Sequence, residues 1–291
     1  MDVSIIIVNY NTKHITHNCI ESIVSFTKNI SYEIILVDNA SSDGSIDFFK
    51  EYEGIRFINS EVNLGFGRAN NLGLTKASGK YIFLLNSDTL LLNNAVKDFY
   101  DAMELEIENI ACLGTKLLAD DGVTENNSFG VFPTINSILK SLVNIYLPFT
   151  KSKTNLNTED SFEVNYIIGA DLFIRKKVID ELGLFDPDFF MYFEETNMQL
   201  RYNKAGYKNK IISAPKIIHL ENGSDMGSKR YSYVSRKYYF TSMFLYLNKR
   251  YSFFKYLITR IIAIGYLPLY FKTDLKFKEK LKLTSIFLFH K

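Results

Sequence analysis

Through the first 115 residues, short unbroken apolar runs alternate with segments of helical period. The runs fall at about 3–9, 33–38, 55–59, 80–86 and 110–115, the helix-period segments at about 15–27, 66–77 and 93–105. Unbroken Ile, Val, Leu and Phe is the pattern of strands buried on both faces. Strands alternating with helices predict an α/β fold, a mostly parallel sheet with helices on both faces. Farther on, Asp120-Asp121-Gly122 reads as a hairpin turn and the polar stretch Lys151 to Asp160 as an exposed loop. Residues 166–174 predict a strand interrupted by Gly169. A helix from Lys176 to Leu182 is stopped by Gly183, and another from Glu194 to Ala205 by Gly206. A strand near 208–213 and the run Ile217-Ile218-His219 follow.

Three of the runs stop on polar residues. SIIIVN ends in Asn9-Tyr10-Asn11, EIILV in Asp38-Asn39, and YIFLL in Asn86-Ser87-Asp88. In open α/β sheets the carboxyl edge is where ligands bind. Three such ends on one edge predict a pocket for a polar, phosphorylated ligand and its metal. Asp88 is the metal candidate, since Mg²⁺ and Mn²⁺ take hard oxygen ligands, often one or two carboxylates plus phosphate oxygens. Asn86 can add an amide oxygen. Asp38, Asn39, Ser41, Ser42 and Asp43 can hydrogen-bond a ribose or base edge, and Tyr10 can stack on a nucleobase. NLGFGRANN (63–71) puts two glycines and Arg68 at a helix start, where free N–H groups and a guanidinium suit a pyrophosphate. Glu194 and Glu195 open a helix, one of them a candidate general base. His219, at a strand end, is a candidate metal or phosphate ligand. Each has a structural reading too: Asp88 as a helix cap, Tyr10 as core, the glutamates as partners of a helix dipole.

Composition bounds the rest. With 47% hydrophobic and 23% charged residues the 291-residue chain is globular, one large domain or two small ones. Two distant cysteines, Cys19 and Cys112, read as reduced and buried, and no zinc spacing occurs. Met1-Asp2 runs straight into a strand, which predicts no signal peptide and a cytoplasmic location. The net charge of +2 hides an asymmetry: residues 229–291 carry 14 Lys and Arg against 2 Asp and Glu. That tail, at +12 on a body at −10, calls for an anionic partner or surface. Its most apolar window, Phe253 to Phe271, holds Lys255, Arg260 and Pro268, so an interfacial basic-aromatic helix pair is expected rather than a span. A lid or dimer contact is the other reading, and oligomeric state stays open. Nucleic acid is not expected as a partner.

Taken together, the chain resembles the inverting glycosyltransferases of family 2 with the GT-A fold, the bacterial rhamnosyltransferase type in particular. The residues that carry the resemblance are SIIIVNYNT (4–12), EIILVDNASSDGS (33–45), NLGFGRANNLG (63–73), YIFLLNSD (81–88), GADLFIRK (169–176), LGLFDPDFFMYFEETNMQLRYNKAGY (182–207) and HLENGS (219–224). They cover about 1–225. The resemblance implies a mixed sheet flanked by helices at 1–228, with a donor half (1–115) and an acceptor half (116–228). It implies a nucleotide-diphosphate sugar donor, a saccharide or lipid-linked acceptor, and a divalent metal, in polysaccharide synthesis. The tail at 229–291, which the resemblance does not cover, is expected from its own composition to be a helical extension giving a peripheral place at the inner membrane face. Asn9, Tyr10, Asp38 and Asn39 are then nucleotide contacts; Arg68, Asn70, Asn86 and Gly169 lie on the donor side. Asp88 and His219 are metal ligands, Glu195 is the base, and Glu194 stands beside it. The family's metal motif commonly has two acids; the first is Asn86 here. Glu195 stands for the usual Asp, and Asn197 for a frequent Asp. A sugar-phosphate nucleotidyltransferase is a rival reading that the Asn9-Tyr10-Asn11 strand end opposes. A degenerate sugar-nucleotide-binding scaffold is another, supported by the substituted acids.

Overall fold

The computed structural model describes residues 1–137, 140, 160–220, 232–252, 257, 260, 264 and 276–289. They fall into two compact units. The first comprises Met1–Val131, Glu159–Phe190 and Glu194–Gly227; the second comprises Phe132–Thr158, Met191–Phe193 and Ser228–Lys291. The expected loop at 151–160, all but Asp160, and most of the apolar window 253–271 lie outside the described residues.

The first unit is built on twelve strands: β1 Val3–Asn9, β2 Tyr32–Asp38, β3 Ile55–Asn59, β4 Tyr81–Leu85, β5 Thr89–Leu91, β6 Ile110–Thr115, β7 Phe129–Gly130, β8 Ser161–Val164, β9 Tyr166–Ile167, β10 Asp171–Arg175, β11 Lys208–Ile212 and β12 Ile217–His219. Its helices are α1 Lys13–Phe26, α2 Ser45–Lys50, α3 Phe66–Leu74, α4 Ala95–Leu105, α5 Lys176–Leu182 and α6 Glu194–Lys204. Eight strands form the main sheet in the order β3-β2-β1-β4-β10-β6-β11-β8. β3, β2, β1 and β4 are parallel, as is the β6–β11 pair, while β10 and β8 run antiparallel to their neighbours. The sheet is therefore mixed: six strands point one way, as the expected mostly parallel sheet requires, and β10 and β8 are reversed.

Successive residues of the central strands face opposite sides, and both sides are buried. Ile5, Ile7, Phe83 and Phe173 belong to one core with Phe99 and Met103 of α4. Ile6, Ile82, Leu84 and Leu172 belong to the other, with Met198 and Tyr202 of α6. This explains why the runs lack polar alternation. Phe99 stacks on Phe173 with ring centroids 5.4 Å apart, an offset pair at the heart of the first core. Both cysteines are free and buried. Burial pushes the Cys19 thiol up to about 12, so it is no nucleophile.

β1 sits between β2 and β4, so the chain leaves it first to one side and later to the other. This is the switch point at which such sheets open a crevice. β4 and β10 are antiparallel, with Asp171 opposite Leu85, and Asn86 N–H donates to the Ala170 carbonyl at 3.0 Å. The start of β10 thus lies on the same edge as the ends of β1, β2 and β4. The Asp120–Gly122 segment is a turn, as expected, with Gly122 at φ +68° and a bridge between Leu118 and Glu125.

The second unit contains α7 (Tyr233–Arg250) and α8 (Phe277–Phe289). Ser232 caps α7, its hydroxyl oxygen accepting from Ser235 N–H at 3.1 Å. The Ser242 hydroxyl donates to the Met191 carbonyl at 2.7 Å, and Phe193 packs on Tyr239 and Tyr246 with centroids 5.3 and 5.6 Å away. Tyr192 and Phe193 both have left-handed φ, +68° and +67°, a conformation bulky side chains seldom adopt. The α7 contacts hold it there. Among the described residues no helix is long and apolar enough to cross a membrane.

Candidate active site

The first group of candidate residues is built by the ends of β1 and β2. Asp38 is fully buried. One of its carboxylate oxygens accepts from Ser41 N–H at 2.8 Å and the other from Asn9 Nδ2 at 2.6 Å. Asn9 also donates to Ser41 Oγ, and its Oδ1 accepts from the Thr12 and Thr16 hydroxyls at 2.9 and 2.7 Å. All four hydrogen-bonding positions of this amide are taken within the fold. Asn9 therefore holds Asp38 in place, its amide fully engaged within the fold. Tyr10, next along, is 45% exposed and open to a planar ligand. Asn39 is buried: its Oδ1 accepts from Leu64 N–H at 2.8 Å and its Nδ2 donates to Asn63 Oδ1 at 3.1 Å. It ties β2 to the loop ahead of α3.

That loop turns at Gly65, with φ +78° and ψ 175°. A Cβ there would meet the Phe190 carbonyl oxygen at 2.1 Å, so only glycine fits. Phe66 N–H donates to the same carbonyl at 2.9 Å. Ala69 N–H is the first to bond back into the α3 turn, and the N–H groups of Gly67 and Arg68 have no partner among the described residues. Arg68 is exposed with no hydrogen bond to a described residue. Asn70, by contrast, is buried and donates to the Phe66 carbonyl at 3.0 Å, so it faces inward.

Past β4, two short strands bring together residues 131 positions apart. β5 pairs antiparallel with β12, matching Thr89 with His219. Leu220 N–H donates to the Asp88 carbonyl at 2.9 Å, and the Asp88 carboxylate lies 3.3 Å from His219 Nε2. Both side chains are well buried, and His219 Nδ1 has no partner among the described residues. The Asn86 side chain, half-buried nearby in sequence, makes no hydrogen bond to a described residue. Among the described residues no three His, Cys, Asp or Glu gather as a protein-only metal cage.

The acid pair starts α6. Glu194 is buried and Glu195 half-buried, and each has one carboxylate oxygen without a partner. A Cβ on Gly67 would lie 3.6 Å from Glu194 Cβ, and one on Gly169 3.9 Å from Glu195 Cβ. The glutamates thus stand where α3 begins and where β10 begins. Burial, then the Glu195 charge, raise the Glu194 pKa well above the carboxylate range. Burial raises Glu195 too, opposed by N–H groups of the helix start. Burial therefore makes both carboxyls easier to keep protonated than a free glutamate. Asn197 Nδ2, one turn into α6, is a further buried donor without a partner.

Two contributors went unnoticed in the sequence. Asp171, fully buried at the start of β10, accepts from Thr115 N–H at 2.6 Å, and its other oxygen is unpartnered. Burial raises its pKa well above the usual range. Asn71 bonds the backbone of Phe185 in both directions. No periodicity marks either; only the GAD and ANN contexts did.

The profile described as Glycosyl transferase family 2 matches residues 4–183. The low-salt glycan biosynthesis hexosyltransferase Agl10 of Haloferax volcanii is 25% identical over 198 residues, 67% of this chain and 59% of that protein. A poly(ribitol-phosphate) beta-glucosyltransferase of Bacillus spizizenii is 26% identical over 76% of this chain and 38% of its own length. A Mycobacterium tuberculosis N-acetylglucosaminyl-diphospho-decaprenol L-rhamnosyltransferase is 21% identical over 64% of this chain and 66% of its own. The chain thus spans less than two thirds of the length of these curated relatives. Among solved structures, S. aureus TarS 1-349 superposes with a TM-score of 0.54 at 15% identity, covering 99% of this chain and 71% of that one. GalNAc-T7, solved with UDP, GalNAc and Mn²⁺, gives 0.59 at 17% identity over 84% of this chain and 47% of its own. Both support the GT-A fold, a central mixed sheet flanked by helices. The chain belongs to glycosyl transferase family 2.

Proposed function

We propose that this chain is an inverting glycosyltransferase that moves a sugar from a nucleoside-diphosphate donor to a hydroxyl of a saccharide or lipid-linked saccharide in cell-surface glycan synthesis. The observation supporting it most is the Asp88–His219 contact of 3.3 Å on the sheet edge from which the buried acid pair also rises. Asp88 and His219 fit a divalent cation, being an oxygen and an imidazole ligand with room in the coordination shell for phosphate oxygens. Bound there, Mg²⁺ or Mn²⁺ would neutralise charge growing on the leaving diphosphate.

The chain's own residues supply the rest. Tyr10 stacks on the base, while Asn9 holds Asp38, and the buried Asp38 and Asn39 fix the strand-end loops against which the nucleoside sits. Arg68 and the free N–H groups opening α3 meet the diphosphate. Glu195 takes the acceptor proton as that oxygen attacks the anomeric carbon from the face opposite the diphosphate. A single displacement inverts the centre and needs no enzyme nucleophile. Glu194, held neutral, spares Glu195 a second charge. Gly169 leaves space beside Glu195. Residues 1–115 serve the donor and 116–228 the acceptor.

The tail is proposed to rest on an anionic membrane face on the cytoplasmic side, near a lipid-linked acceptor. On α8, Phe277 and Leu281 are exposed one turn apart beside exposed Lys278 and Lys282, a pattern suited to an interface.

A screen of nucleotide sugars tests the reading, beginning with UDP-sugars because TarS and GalNAc-T7 were solved with UDP. Nucleotide release should require Mn²⁺ or Mg²⁺ and vanish in Asp88→Ala. Absence of both release and metal-dependent UDP binding would favour a different role for the site.

A further inference from the structure

We propose that Asn71 is a positioning residue for the general base, fixing Glu195 through the segment that leads into α6. The inference rests on Glu195 being the base. Asn71 lies in α3, far in sequence from the acid pair, yet its amide closes a two-way bond with the backbone of one residue, Phe185. Asn71 Nδ2 donates to the Phe185 carbonyl at 2.8 Å, and Phe185 N–H donates to Asn71 Oδ1 at 3.1 Å. Five residues earlier in α3, Phe66 N–H donates to the Phe190 carbonyl, five residues later in the segment. Helix and segment thus run in opposite directions, joined at both ends. Between the joints Gly67 meets Phe185 Cβ, a would-be contact of 3.2 Å, and the Phe66 and Phe185 rings lie 5.8 Å apart.

The segment needs such a grip because it has no strand or helix of its own. Residues 183–193 connect α5 to α6 through turns, such as Phe189 N–H to the Asp186 carbonyl at 3.2 Å. Only residues 191–193 separate the second joint from Glu194. Asn71 itself stands three residues after Arg68, on the helix proposed to receive the diphosphate. Donor binding and base placement therefore share one rigid element, and Asn71 serves the second without touching the donor. The chemistry demands an amide: it must give one hydrogen bond and take one, which neither Asp nor Leu can do.

The test uses the full chain with Asn71→Asp and Asn71→Ala. Asp keeps the acceptor for Phe185 N–H but sets a second acceptor against its carbonyl. Titration calorimetry with UDP and Mn²⁺ should give unchanged affinity in both variants. Turnover of whichever nucleotide sugar the screen selects should lose about 10–100-fold in kcat, as for a catalytic group misplaced by an ångström or less, with donor KM unchanged. The acid limb of the kcat–pH profile should move as the surroundings of Glu195 change. Hydrogen exchange should quicken in the 185–196 peptide and not in the β1–β2 peptides. Unchanged kcat would overturn the proposal. So would a kcat loss with an unmoved acid limb and equal loss of UDP affinity, which would mark a general loss of fold. Should the wild-type chain neither bind UDP nor turn over any nucleotide sugar, the functional reading fails by itself. The exchange data then still judge the clamp, and unaltered exchange at 185–196 refutes it.

Discussion

Gly65 offers a quantitative test of how the motif before α3 is wired to the acid pair. Its φ of +78° with ψ 175° lies in a region open essentially to glycine alone. Placing any other residue there costs about 1–3 kcal/mol in backbone strain. A Cβ would also sit 2.1 Å from the Phe190 carbonyl oxygen, which is backbone and cannot rotate away. Phe190 must then move, and the Phe66–Phe190 hydrogen bond goes with it, about 1 kcal/mol more. Gly65→Ala should therefore destabilise by ~2–4 kcal/mol, a drop of order 10 °C in Tm at roughly 2–4 °C per kcal/mol. Gly54 is the control: its φ is +82° but nothing lies within 4 Å of a Cβ. Gly54→Ala should cost only the left-handed strain, about 1–2 kcal/mol. Differential scanning fluorimetry reads the two shifts, and nucleotide-release kinetics read the consequence for the base. Gly65→Ala should lose activity beyond its loss of stability; Gly54→Ala should not. Equal Tm shifts with equal activity would refute the claim that the Gly65–Phe190 approach locks the base segment.

The remaining predictions can be checked with the same protein. Glu195→Gln should lower kcat by about 10²–10⁴ with little change in donor affinity, and Glu194→Gln by less; the reverse order would exchange their roles. Because the ionised base is the active form and burial raises its pKa, the acid limb of the wild-type profile should lie above the ~4.3 of a free glutamate. Asp171 has a folded-state pKa raised by burial, so the unfolded chain gives up that proton first; its contribution to stability is present below about pH 4 and is lost as pH rises through the folded value. Asp171→Asn should therefore flatten the fall in Tm as pH rises above about 4, and an unchanged slope in thermal melts would contradict this. Lys278→Glu with Lys282→Glu should weaken co-sedimentation with anionic vesicles by up to about 1 kcal/mol per charge, and more so at low salt; unchanged binding would leave the tail to another role.

Much of residues 1–115 was legible because buried parallel strands announce themselves. β1, β2, β4 and β6 are largely apolar on both faces, so no alternation obscures them, and the polar ends of β1, β2 and β4 stand out. What escaped was short or distant. β5 and β12 hold three residues each, too few for any period, yet their pairing alone carries Asp88 to His219. α2, only six residues long, is too short to show a helical period. The strand directions of β8 and β10 follow from crossovers that local pattern does not encode. Asn9 shows the converse limit. Its type and place suited a ligand, but whether an amide is free depends on Thr12, Thr16, Asp38 and Ser41 all turning toward it. Asn70 and Asn71 are adjacent and alike in sequence; helical rotation turns one onto its own helix and the other onto Phe185.

The central claim is a single displacement at the anomeric carbon with Glu195 as base. Proton NMR of the first minutes of turnover of an α-linked UDP-sugar, followed before mutarotation, tests it most directly. The account predicts that the first product, whether transferred to an acceptor or released to water, carries the β configuration, and that Glu195→Gln slows its appearance without changing it. An α-configured first product would mean retention, hence two displacements or an internal return, and would contradict the mechanism.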